Sequence, residues 1–237
     1  MNNQADLLAI LSQGTTLQTS GTTGPSKAIY QSPTKITAAN KIAVDCQQLT
    51  SSSRVYTVCK TKHAGGLLAQ TLPALSIGAD VVIEDFNAYR FVKEVGNYTH
   101  THITPSHAKA IMGTKGFRTL DLSNVWVTCG SDPVTWDIIE AFVIRGATFM
   151  ANWGMTECGP CAINVKFRNM DDVCYYQEWN LKGHSIMGIN TYCDTKIVGD
   201  QLYVKGDICV HDGWALTGDR VKLNSAGHFY YMGRNNA

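Results

Sequence analysis

Residues 125–150 read VWVTCGSDPVTWDIIEAFVIRGATFM, and their periodicity changes twice. Val125-Trp126-Val127-Thr128 is a short apolar, β-rich run. Cys129 to Asp132 reads as a turn. From Pro133 to Arg145 the apolar residues Ile138, Ile139, Phe142 and Val143 share one face of a helix, and Ala147 to Met150 is a second β-rich run. Strand, helix and strand at these lengths make a βαβ unit, whose two strands run parallel. The same alternation continues upstream. Val81 to Ile83 reads as a strand, Asn87 to Val95 as a helix, His100 to Thr104 as a strand and Ser106 to Met112 as a helix. Short apolar strands separated by helices predict a largely parallel sheet covered on both faces.

Further out, Val55 to Cys59 is another β-rich run, and Gly65-Gly66 opens an apolar stretch to Ile77 that predicts a helix kinked near Pro73. Ser32-Pro33 is a helix start, a hydroxyl cap followed by a proline where no N–H is needed, with Ile36, Ala39, Ala43 and Cys46 on one face. A polar helix or tail to Gln13, a strand over Thr15–Thr19 and a return strand over Ala28–Tyr30 frame a loop at a hairpin tip. Beyond Val173 the texture changes: Thr195–Val198, Gln201–Lys205 and His228–Met232 are strands separated by Gly/Asp/Asn turns, an antiparallel pattern. The predicted fold is α/β. A mostly parallel, helix-flanked nucleotide-binding core (1–173) is followed by a small β-rich unit (174–237).

Composition narrows the function. Lys and Arg number 20 against 19 Asp and Glu, for a formal net charge of +1, so the basic excess of a nucleic-acid-binding surface is missing. No apolar run approaches the roughly 18 residues that a membrane helix needs. Met1 to Asp6 is polar and lacks a signal-peptide pattern. Eight cysteines in that setting predict reduced thiols and a cytoplasmic location, with no nucleic-acid or membrane partner.

The chemistry is concentrated in Thr19-Ser20-Gly21-Thr22-Thr23-Gly24-Pro25-Ser26-Lys27. Five hydroxyls, two glycines and a lysine suit an anion: glycine lets backbone N–H groups approach phosphate oxygens, hydroxyls add donors, and Lys27 adds a point charge. A plain flexible turn has the same composition. The Walker A spacing fails, because Ser26 precedes Lys27 and Ala28 follows it.

This string resembles the phosphate-binding signature of the adenylate-forming superfamily, which includes acyl-CoA synthetases, adenylation domains and luciferase. Pro25 and Ser26 exchange the usual order, and Ala28 replaces the final glycine. Other motifs of that superfamily have counterparts in the same order. They are His63-Ala64-Gly65-Gly66-Leu67, Cys129-Gly130-Ser131-Asp132-Pro133, Trp153-Gly154-Met155-Thr156-Glu157, Gly213-Trp214-Ala215-Leu216-Thr217-Gly218-Asp219 and Gly227 to Arg234. The resemblance implies activation of a carboxylic acid as acyl-AMP with release of pyrophosphate, with CoA as a later acceptor and ATP/AMP and Mg²⁺ as cofactors. It implies that Thr19, Ser20, Gly21, Thr22, Thr23, Gly24 and Lys27 hold the β/γ-phosphates. Trp153 and Gly154 take the place of the aromatic-Gly pair against adenine, and Gly130, Ser131 and Asp132 flank the base. Thr156 reaches the α-phosphate, Glu157 ligates Mg²⁺, Asp219 binds the ribose hydroxyls, and Arg234 binds ribose or phosphate. His63, Gly65 and Gly66 line the acid pocket. Lys27, Thr156 and Glu157 are the expected catalytic set.

The superfamily's members are roughly twice as long. They have a mobile C-terminal lid with a catalytic lysine, which finds no counterpart here, and an acidic or basic hinge residue where this sequence has Asn236. Two readings follow: a minimal ligase, or a nucleotide- or acyl-adenylate-binding module that needs a homodimer or a partner to supply the lid.

Three other features have plainer readings. Cys158-Gly159-Pro160-Cys161 spells a redox tetrapeptide, but it abuts the Thr156-Glu157 motif instead of opening a helix after a strand. Its spacing to Cys174 and Cys193 is irregular for zinc. His100 and His102 fall on one strand face and, with His107, read as structural histidines ahead of metal ligands. Trp126, Trp136 and Trp179 read as packing residues.

Overall fold

A computed structural model describes residues 4–19 and 27–235. Ser20, Gly21, Thr22, Thr23 and Gly24 of the phosphate loop, and Asn236, lie outside the described residues. The chain begins with α1 (Gln4–Gln13) and an antiparallel hairpin of β1 (Thr15–Gln18) and β2 (Ala28–Gln31). Helix α2 (Pro33–Gln47) starts as its sequence predicts: the Ser32 side chain accepts from Lys35 N, and Pro33 takes the first turn. Ile36, Ala39, Ala43 and Cys46 are all buried.

Next come β3 (Arg54–Thr57), a short α3 (Ala64–Gly66), a π-helical segment (Leu67–Thr71) and α4 (Leu72–Ser76). The predicted kink therefore takes the form of a π segment just ahead of Pro73. In α geometry Pro73 would leave the Ala69 carbonyl without its donor. Gln47 Nε2 donates to that oxygen at 2.6 Å.

The alternation then runs β4 (Asp80–Ile83), α5 (Ala88–Glu94), β5 (His100–Ile103), α6 (Pro105–Met112), β6 (Trp126–Cys129), α7 (Trp136–Ile144), β7 (Thr148–Met155), β8 (Gly159–Phe167) and α8 (Met170–Glu178). The last stretch is β9 (Ser185–Gly188), β10 (Asn190–Thr191), β11 (Asp194–Val198), β12 (Gln201–Lys205), β13 (Ala215–Leu223) and β14 (Phe229–Arg234).

The main sheet has the order β10-β8-β7-β6-β5-β3-β4. Strands β4, β3, β5, β6 and β7 are mutually parallel, while β8 and β10 add antiparallel. Helices cover both faces. Tyr56 points into a core with Phe91, Ile111, Phe142 and Val173, and its neighbour Val55 points into another with Leu7, Ile36, Leu67 and Leu72. A second sheet, β11-β12-β13-β14-β9, is antiparallel and shares a core with Ile163 of β8. Val173, where the texture of the sequence changes, sits inside α8 in the same core as Ile186 and Tyr230. Two strands exceed the sequence expectation. Strand β7 runs on through Trp153 to Met155, and Gly159–Phe167 returns beside it.

Candidate active site

Going along the chain, β4 is placed on one side of β3 and β5 on the other, so the winding reverses between β3 and β5. Ligands of open parallel sheets sit at the carboxyl ends of strands near such a reversal, because the chain leaves a crevice there. A cleft of about 1230 Å³ opens at this place. Its wall takes Cys59 and Lys60 from beyond β3, His102 and Thr104 from the end of β5, and Ser131 and Asp132 from beyond β6. Asn152, Gly154, Thr156 and Glu157 come from the end of β7 and its turn. Gln18, Thr19 and Lys27 arrive from the hairpin, His63, Gly65 and Gly66 from α3, and Gly218 and Arg234 from the second sheet.

The hairpin fixes where the loop springs from. Thr19 N donates to the Lys27 carbonyl at 2.9 Å, and Lys27 N donates to Thr19 Oγ1 at 2.9 Å. Two bonds dock this base onto the cleft. Buried Gln31 donates through Nε2 to the Thr156 carbonyl at 2.8 Å, and His63 Nδ1 lies 3.4 Å from the Gln18 carbonyl. Gln31 is a positioning residue that no motif marks. Its signal is faint: a polar residue at the buried end of an edge strand.

Behind the far wall, next to lining residues Gly218 and Arg234, Asp219 is engaged twice. Trp153 Nε1 donates to its Oδ2 at 2.9 Å, and Arg234 Nε pairs with its Oδ1 at 3.1 Å. Burial raises the Asp219 carboxyl above the ordinary aspartate value, while Arg234 and then Trp153 pull it back. The antiparallel register that faces Asp219 with Arg234 in β13 and β14 makes the ion pair. Gly130, Trp153 and Asp219 are joined to lining residues without being part of the lining.

Backbone geometry is unusual at two places. Ser131 has a left-handed φ of 77°, a conformation costing a non-glycine residue of the order of 1–2 kcal/mol and commonest at functional sites. Gly154, inside β7, approaches its neighbour β8 so closely that a Cβ would lie 2.4 Å from the Pro160 carbonyl group, so only glycine fits at that position.

The histidines separate by environment. His100 Nε2 lies 3.0 Å from the Gln47 carbonyl and its Nδ1 lies 2.8 Å from Thr99 Oγ1, so both ring nitrogens have structural partners. His107 stacks on Phe86 with centroids 3.8 Å apart. His102 Nδ1 lies 2.6 Å from the Gly65 carbonyl, and burial depresses its pKa to about 4.

Cys158 and Cys161 are buried, and Gly159-Pro160-Cys161 opens a strand. Burial raises the Cys158 thiol well above the ordinary value, and for Cys161 the contact with Cys46 comes first, then burial. A redox cysteine needs the reverse, an exposed thiol with lowered pKa. All eight cysteines are free. Trp126 is buried, Trp136 packs edge-on to Phe167 and Trp179 is partly exposed. Among the described residues no helix is long and apolar enough to cross a membrane.

Residues 15–218 match the family model described as AMP-binding enzyme. The chain is 27% identical over 245 residues to an indoleacetate–CoA ligase of Aromatoleum aromaticum, covering 91% of this chain and 46% of that protein. It is 28% identical over 238 residues to a feruloyl-CoA synthase of an Amycolatopsis species, covering 92% and 48%. The chain thus spans about half the length of the curated relatives it matches. Its backbone superposes on ATP-bound MatB from Rhodopseudomonas palustris with a TM-score of 0.73 at 17% identity, covering 92% of this chain and 47% of that one. For the inhibitor-bound N-terminal domain of FACL13 from Mycobacterium tuberculosis the TM-score is 0.77 at 17% identity, with 93% and 60% covered. The fold is that of the large N-terminal domain of acyl-CoA synthetases, and the chain belongs to the AMP-binding enzyme family.

Proposed function

We propose that the chain is the adenylating core of a carboxylic-acid ligase. The acid's carboxylate attacks the α-phosphorus of ATP, the bond to the bridging oxygen breaks, and pyrophosphate leaves with the bonding electrons. An acyl-AMP results, and transfer of the acyl group to CoA is the second step. Lys27 and the loop hydroxyls take the β/γ-phosphates, Thr156 the α-phosphate, and Arg234 ribose or phosphate. Asp219 retains acceptor positions for the ribose hydroxyls, since a carboxylate offers about four and two are used. Gly130, Ser131 and Asp132 flank the base, while His63, Gly65 and Gly66 hold the acid.

Among the described residues no three acidic, histidine or cysteine side chains converge. A lone Glu157 beside phosphate oxygens nevertheless suits Mg²⁺, which takes one or two carboxylates and keeps its waters. Bound there, the ion would neutralise charge developing on the phosphate oxygens.

The observation that carries this reading is convergence: Lys27, His63, the adjacent pair Thr156 and Glu157, and Arg234, drawn from four parts of the chain, face one cleft. The test is carboxylate-dependent ATP–pyrophosphate exchange over aryl and aliphatic acids. Glu157→Ala and Lys27→Ala are expected to lower exchange roughly 100-fold each, the scale of losing one preorganised electrostatic group. The half-length span favours a second reading, an adenylate-binding unit that relies on further chain or a partner for turnover. Tight nucleotide binding by calorimetry with no exchange for any acid would select it.

A further inference from the structure

The sheet face under the cleft carries two buried acceptors without partners. Asn152, at the end of β7, is 7% exposed. Its Nδ2 donates to the Pro160 carbonyl at 2.7 Å. A carbonyl can only accept, so the amide orientation is fixed and Oδ1 is the free end. That oxygen has no partner among the described residues. The same logic applies to His102. With Nδ1 at 2.6 Å from the Gly65 carbonyl, Nδ1 must carry the proton, so Nε2 presents a lone pair, and it too has no partner. The depressed pKa keeps this ring neutral at physiological pH.

Both residues line the cleft. They also share a face. His102, Thr128 and Met150 form one row across β5, β6 and β7, and Asn152 lies two residues beyond Met150. Two strand spacings, about 10 Å, separate them laterally. On the middle strand the step beyond Thr128 is Gly130, where the Asn152 backbone carbonyl approaches so closely that a Cβ would lie 2.4 Å from its oxygen, so no side chain stands there. A buried acceptor left unpaired is unfavourable, so an occupant that supplies donors relieves that cost.

We infer that this end of the cleft selects carboxylic acids whose acyl part bears an O–H or N–H donor, over plain hydrocarbon acids, through Asn152 Oδ1 and His102 Nε2. Phe86 and Val58 on the same wall supply apolar surface for the rest of the acyl group. The inference rests on the adenylate-forming reading, because it assigns the acid to the same cleft.

The test measures binding of non-hydrolysable acyl-sulfamoyl adenosines to the full chain by calorimetry, with ATP titrated separately. Phenylacetyl is compared with its ortho-, meta- and para-hydroxy forms, and naphthylacetyl with indolylacetyl. At least one donor-bearing analogue is expected to bind about tenfold or more tighter than its donor-free partner, since an analogue that lacks the donor leaves the site's buried polar groups unpaired. The ratio should shrink in Asn152→Leu and in His102→Gln. The comparison in the unaltered chain stands even where a variant fails to fold. Ratios near one throughout, with ATP bound, would overturn the inference and leave the adenylation reading standing. Failure of both ATP and every analogue to bind would overturn both.

Discussion

The Trp153–Asp219 bond shows how one side chain alters a site. An aromatic ring is expected beside the base, and tyrosine would supply one. Tryptophan adds a ring N–H, and here that N–H is committed to a buried carboxylate. Asp219 is therefore held by an indole on one oxygen and a guanidinium on the other. Trp153→Phe keeps an aromatic ring and deletes the donor together with the part of the indole that carries it. It leaves Asp219 Oδ2 short of a partner in a buried setting, which should cost about 1–3 kcal/mol of stability in urea titration. A variant as stable as the parent would mean that the bond contributes nothing in solution. Motif matching marks both residues, but their bond is invisible in the sequence because 66 positions separate them.

At the scale of elements, the alternating strands and helices of 81–150 were legible because each has its own period and its own punctuation. Asn87 and Thr104 cap their helices with side-chain bonds, as hydroxyl and amide residues before apolar periodicity should. Strand β8 was not legible. Its opening Gly159-Pro160-Cys161 reads as part of a redox tetrapeptide, and its continuous burial lacks the alternation that marks a strand. Strand β13 was hidden for a related reason, since residues 215–219 read as a motif before they read as an element. Gln47 was equally silent, a polar residue at the end of a helix. In the fold it ties three elements together. Its Nε2 donates to Ala43 and Ala69 carbonyls, and its Oε1 accepts from Gln70 Nε2 at 2.9 Å and Thr128 Oγ1 at 2.7 Å. Gln47→Met is close in volume and would strand the Gln70 and Thr128 donors under the cleft. We expect a loss of about 3 kcal/mol or more by denaturant titration, from two buried groups at about 1–3 kcal/mol each. A loss below 1 kcal/mol, on that same scale, would indicate that water replaces the amide.

Over the whole molecule, the parallel order and its reversal beside β3 decide where ligands bind, and local patterns fix neither. Periodicity names strands; pairing partners 40 or more residues apart, such as Val55 with His100, emerge only in the fold. The same burial that builds the cleft floor makes the protein acid-sensitive. Burial lowers the pKa of His100, His102, His107 and His228, so the fold keeps all four more neutral than the unfolded chain does. As pH falls through 6.5 the unfolded chain takes up protons that the fold excludes, and stability falls with it. For His102 the drop from 6.5 to about 4 corresponds to about 3 kcal/mol lost by pH 4. Asp219 works in the opposite sense. Its raised pKa lends stability below the unfolded aspartate value and withdraws it as pH rises through the folded one. That window lies at the acid end and cannot offset four histidines titrating from 6.5 downward. Thermal unfolding followed from pH 7.5 to 4.5 should therefore show a falling midpoint, with a shallower slope in His102→Gln because the largest of these linkages is removed. A midpoint that stays level across that range would show that these histidines are not held neutral by burial.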